Sequence, residues 1–103
     1  MSLEIKAMQE KVDKWIRENG GYWDPLSISA QIQEEAGELA REVNNRYGGR
    51  KRKSSEEERD IGEEICDLMF ALICMANSHE IDLEKYWTET ISRRCERDKT
   101  RYK

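Results

Sequence analysis

The 103-residue sequence contains one proline, one histidine, one phenylalanine and three cysteines. No apolar run approaches the ~20 residues of a membrane span, and no signal-peptide pattern opens the chain. A cytoplasmic protein with no membrane partner is therefore expected. One proline and almost no alternating β-branched runs leave little from which to build a sheet. Cys66, Cys74 and Cys95 are odd in number, far apart and form no CxxC pair, so they read as reduced thiols, small apolar residues rather than a disulfide framework. Positive charge is also in short supply. Lys and Arg number 18 against 22 Asp and Glu, a net charge of −4, which argues against polymeric nucleic acid as a partner.

What is present is helical periodicity. Ile5, Met8, Val12, Trp15 and Ile16 mark a first helix over about residues 3–18, stopped by Asn19-Gly20-Gly21. Asp24 and Pro25 are a cap and a favoured first position for a second helix, which runs to Tyr47 and ends at Gly48-Gly49. A polar connection follows. Ser55 and Glu58 have capping-box spacing, so the third helix is predicted from about Glu56 to Ser78. Asp82 caps a fourth that continues to about Asp98 and leads into a charged tail. With no repeat or linker, residues 1–103 read as one all-α domain with its core over about 3–98, a four- to five-helix bundle with short antiparallel connections.

The acidic residues of the central hairpin carry the functional signal. On the second helix Ile28, Ile32, Ala36, Leu39 and Val43 form an apolar stripe at about 100° per residue. Glu35 falls inside it, and Glu38 and Glu42 on its flank. On the third helix the stripe is Ile61, Ile65, Leu68, Leu72, Met75 and Ala76, with Glu64 and Asp67 on the flank of the same hand. Packing the two stripes antiparallel brings Glu35, Glu38, Glu64 and Asp67 to one edge at similar height. Like charges so close are costly unless Arg or Lys side chains interleave or a divalent cation binds. Carboxylates without Cys or His suit Mg²⁺ or Mn²⁺. No Glu has a His three residues later, which removes the di-iron Glu-x-x-His pattern, and His79 reads as a helix-end residue. The third helix is apolar nearly all round from Ile65 to Ala76, which predicts a subunit interface holding Cys66 and Cys74.

These residues resemble the MazG-like nucleotide pyrophosphohydrolases, closest to the small single-domain, YpjD-type members. The family signature is ExxE, a spacer, then ExxD. Here it reads Glu34-Glu35-Ala36-Gly37-Glu38-Leu39, with 25 residues between Glu38 and Glu64-Ile65-Cys66-Asp67. Asp24-Pro25-Leu26, the Leu39–Gly48 stretch, Ala76-Asn77-Ser78, Ile81-Asp82-Leu83-Glu84 and Arg97-Asp98-Lys99 are similar too. The resemblance implies an all-α NTP pyrophosphatase fold whose central helix hairpin carries the acidic site. It implies a Mg²⁺-dependent enzyme, with Mn²⁺ able to substitute. Nucleoside triphosphates, ribo or deoxy, would be cut to the monophosphate and pyrophosphate by a metal-activated water, as house-cleaning of non-standard or surplus nucleotides. It implies a homo-oligomer, dimer or tetramer. Carried over by position, Glu35, Glu38, Glu64 and Asp67 are the metal ligands, and Glu34, Glu35 and Glu38 the catalytic acids, Glu34 as a candidate to orient water.

Cations for the phosphates are then sought on the fourth helix, at Arg93 and Arg97, and less so at Lys51, Arg52 and Lys53. The family often carries Lys and Asn near the end of its last helix, where this chain has Arg93 and Cys95. For the nucleobase the stacking candidates are Trp15, Tyr22 and Trp23, of which Trp15 and Trp23 are the leading pair, and Trp87 reads as packing. The competing reading is a non-catalytic helical nucleotide-binding or interaction module on the same fold.

Overall fold

The computed structural model describes residues 4–48 and 60–101. Among them are four helices and no strand: α1 (Ile5–Glu18), α2 (Pro25–Tyr47), α3 (Ile61–Ser78) and α4 (Leu83–Asp98). The predicted all-α fold is the one observed. Asp24 caps α2 by accepting from the Ser27 backbone N–H, with Pro25 in the first turn, and Gly48 ends the helix. Asp82 caps α4 through the Glu84 and Lys85 backbone N–H groups. α3 starts later than the capping box suggested. It begins at Ile61, where Asp60 accepts from the Gly62 backbone N–H. Ser55, Glu58 and the basic Lys51, Arg52 and Lys53 lie outside the described residues.

α2 and α3 make the principal helix pair; α1 packs on α3, and α4 on α1. Ile28, Gln31 and Glu35 of α2 share one cavity with Asp67, Ala71 and Cys74 of α3.

The inner faces differ from those the apolar stripes suggested. On α2 the buried residues are Ile28 and Glu42, while Val43 is 39% exposed and Ala36 is exposed. Ile28, Glu35 and Glu42 recur every seven residues and define the inward line. On α3, Glu64, Ala71, Ile73, Cys74 and Ala76 are buried, whereas Ile65 and Leu72 are 42% and 46% exposed. Of the expected stripe, Ala76 is buried and Ile61, Leu68 and Met75 are half-buried, and the buried line through Glu64, Ala71 and Cys74 runs beside it. The physical reason is that an almost wholly apolar helix has no polar face to mark its outside. Cys74, expected at a subunit interface, is buried within the chain itself, and Cys66 is exposed.

The α1–α2 turn needs its glycines. Gly20 and Gly21 have φ of +113° and +85°, and the Gly21 N–H donates to the Ile16 carbonyl at 2.8 Å. This turn delivers Tyr22 and Trp23 beside α3. A side-chain amide anchors α1 at its other end. Gln9 Nε2 donates to Asn77 Oδ1 and to the Ile81 carbonyl, both at 2.8 Å, and Gln9 Oε1 accepts from the Leu83 N–H at 2.9 Å. Asn77 Nδ2 returns a bond to the Gln9 carbonyl at 3.0 Å. Gln9→Leu removes three of these bonds at once and should cost about 2 kcal/mol, read as a lower midpoint in urea denaturation with an unchanged slope.

Candidate active site

Glu35 from α2 and Glu64 and Asp67 from α3 meet where the helix pair crosses. Each offers a carboxylate oxygen, and the three oxygens lie within 4.8 Å of one another. Helical spacing explains the meeting. Glu64 and Asp67 are one turn apart on the inward face of α3, and Glu35 is the central residue of the inward line of α2. Glu64 is only 1% exposed. Glu35 Oε1 accepts a 2.6 Å hydrogen bond from Gln31 Nε2, and Glu35 Oε2 is buried with no hydrogen-bond partner among the described residues. Burial, followed by the charges of Glu38, Asp67, Glu34 and Glu64, pushes the Glu35 carboxyl above its ordinary range.

A buried acceptor without a donor, on a side chain that joins a set of hard anionic oxygens, fits a divalent cation of the Mg²⁺ or Mn²⁺ type. Glu38 is half-buried and stands outside the three-acid group, though its charge is felt at Glu35. Glu34 is exposed, and its charge also reaches Glu35.

A cavity of about 430 Å³ opens beside the acids and has Glu35 and Asp67 in its wall. Its remaining lining is mostly apolar and aromatic. Trp15 and Ile16 come from α1, Tyr22 and Trp23 from the turn, Ile28 and Gln31 from α2, and Phe70, Ala71 and Cys74 from α3. Its size is within the ordinary range of small-molecule sites, roughly 300–1,000 Å³. Trp15 and Phe70 meet edge to face, with centroids 6.4 Å apart and planes at 75°. Tyr22 is held by a 2.6 Å bond from its hydroxyl to Asp13 Oδ1, with the Arg17 guanidinium 5.7 Å from its ring centroid. Burial and the Asp13 bond push the phenol up to about 12, so it stays neutral across the working range.

Of the residues named from the sequence, Glu35, Asp67, Trp15, Tyr22 and Trp23 share this cavity, and Glu64 joins Glu35 and Asp67 in the acidic group. Arg93 and Arg97 sit on α4 and are not among the lining residues; Arg97 is paired with Asp98 at 3.0 Å. Gln31, Phe70 and Cys74 are site residues that no motif in the sequence marks. Their spacing carries the signal: Gln31 is one turn before Glu35, while Phe70 and Cys74 are three and seven residues after Asp67. His79 is a helix-end residue as expected, capping α3. No helix among the described residues is long and apolar enough to cross a membrane.

Residues 24–102 match the model of the MazG nucleotide pyrophosphohydrolase domain. The matched segment holds all the acids of the site but begins after Trp15 and Trp23. The chain is 42% identical over 99 residues to Uncharacterized protein YpjD of Bacillus subtilis strain 168, covering 95% of this chain and 89% of that protein. Its structure is similar to the crystal structure of YpjD from Bacillus subtilis, with a TM-score of 0.79 at 40% identity, over 90% of this chain and 96% of the other. A second similar structure is that of the Bacillus-conserved MazG protein, a nucleotide pyrophosphohydrolase, with a TM-score of 0.75 at 44% identity, over 89% and 90% of the two chains. An acidic helix pair beside an aromatic pocket, and a family match across three of the four helices, lead to one conclusion: the chain belongs to the MazG nucleotide pyrophosphohydrolase family and is a hydrolase.

Proposed function

We propose that this chain hydrolyses nucleoside triphosphates, ribo or deoxy, to the monophosphate and pyrophosphate, with Mg²⁺ or Mn²⁺ held by Glu35, Glu38, Glu64 and Asp67. The observation that carries the reading is a shared wall. Glu35 and Asp67 belong both to the acidic cluster and to the aromatic cavity. A ligand with a flat base at one end and a polyanion at the other matches that order of surfaces. When bound, the cation supplies charge neutralisation for the phosphates and a lowered pKa for water.

The chain's own residues do the rest. Trp15 and Trp23 line the cavity and supply rings for stacking, and Phe70 packs on Trp15 in a T-shaped pair. Glu35 and Asp67 fix where the phosphate end of the ligand falls. Glu34 and Glu38, beside Glu35 in the first motif, are the candidate carboxylates for orienting water, with Glu35 the third catalytic acid. No covalent nucleophile is required.

The proposal includes a homo-oligomer, dimer or tetramer, in the cytoplasm, with house-cleaning of surplus or non-standard nucleotides as its task. Ile65, Met69 and Leu72 support self-association. They lie on one line of α3 and are 42%, 39% and 46% exposed.

The test is pyrophosphate release from the eight common ribo- and deoxyribonucleoside triphosphates, with Mg²⁺ and with chelator. Mg²⁺-dependent release with a monophosphate product is the expected result; orthophosphate release, or equal rates in chelator, contradicts the reading. Trp15→Ala should raise KM for the preferred nucleotide about 10-fold, the loss of one stacking face, with a smaller change in kcat. Steady-state kinetics on the purified variant checks this.

A further inference from the structure

We infer that Gln31 is a positioning residue for the metal site, acting through Glu35. This rests on the metal-site reading above. Gln31 stands one helical turn before Glu35 and donates Nε2–H to Glu35 Oε1 at 2.6 Å, a short, charge-assisted bond. A carboxylate only accepts, so the amide is held with its NH₂ toward Glu35 and its oxygen turned away. The bond engages Oε1 and leaves the buried Oε2 without a partner, on a side chain that joins the cluster with Glu64 and Asp67. Without it, nothing from Gln31 fixes the plane of the Glu35 carboxylate, whose last torsion is broad.

Gln31 also lines the aromatic cavity. One side chain therefore borders the proposed base pocket and fixes the acid at its phosphate end. Neither the ExxE nor the ExxD motif contains it. Residues that hold a metal-binding side chain in place through a hydrogen bond typically change metal affinity or activity about 10- to 100-fold when lost.

The experiment is Mn²⁺ binding to the metal-free chain, followed by the electron paramagnetic resonance signal of free Mn²⁺. It compares wild type with Gln31→Met, which keeps length but has no donor. Gln31→Asn, which keeps the amide but falls one methylene short, is the second variant. Both variants are expected to bind Mn²⁺ about 10-fold more weakly, with the metal-free melting temperature of the wild type. Mn²⁺ affinity equal to wild type in either folded variant overturns the inference and leaves the metal-site reading standing. A metal-free melting temperature that falls in parallel with affinity overturns it in favour of a structural role. If the wild type itself binds no Mn²⁺, the metal-site reading fails and takes this inference with it.

Discussion

Asp67→Asn is expected to lower kcat about 1,000-fold, roughly 4 kcal/mol of barrier, while far-UV circular dichroism remains that of the wild type. Asp67 is exposed on the inner edge of α3, so the change leaves the core of the helix pair intact. What it removes is specific. The Asn side chain has nearly the same shape, but it takes one negative charge from an oxygen set that lies within 4.8 Å. Glu38→Gln should also impair turnover, by a smaller factor, because Glu38 stands outside the three-acid group. A steady-state rate for Asp67→Asn within a few-fold of wild type would mean that the acids are a solvated helix face and that turnover occurs elsewhere.

Divalent cation should also stabilise the fold. A ligand present at 100 times its dissociation constant contributes about 2.7 kcal/mol if it binds only the native state. For a domain of this length that corresponds to a rise in melting temperature of about 10 °C or more. The physical origin is the cost of the metal-free cluster. Glu35 is raised by burial and by four neighbouring acids, and its Oε2 has no hydrogen-bond donor. A thermal scan of chelated protein with increasing Mg²⁺ checks this. The rise should be lost in Asp67→Asn, which separates site binding from general salt effects.

The four helices were legible because their ends carry unambiguous chemistry. Asp24-Pro25, Asp82 and the Asn19-Gly20-Gly21 stop each fix a boundary by satisfying, or being unable to satisfy, backbone groups. The start of α3 was not, because two acidic or hydroxyl caps compete in that stretch and Asp60 holds the observed first turn. The acids were legible by motif and by height along the hairpin. Their exact placement was not, because periodicity centres a helix face on its apolar residues. Here the chain turns both central helices so that Glu35, Glu42 and Glu64 face inward while Ile65 and Leu72 face out. Burying acids runs against local hydropathy, and such conflicts gather where function is built. The pocket was half legible. Trp15 and Trp23 announced themselves as aromatics near a turn. Phe70 and Cys74 were hidden in the uniformly apolar run of α3, where only their spacing from Asp67 distinguishes them. Gln31 was hidden because a glutamine on a helix is unremarkable until its amide is seen against Glu35.

The central claim is that the three converging carboxylates are a divalent-cation site. Crystals of the wild-type chain soaked in Mn²⁺, with anomalous difference density collected at the manganese edge, test it most directly. A strong peak is expected in contact with oxygens of Glu35, Glu64 and Asp67. Density at manganese elsewhere on the chain, with none among these three side chains, would contradict it.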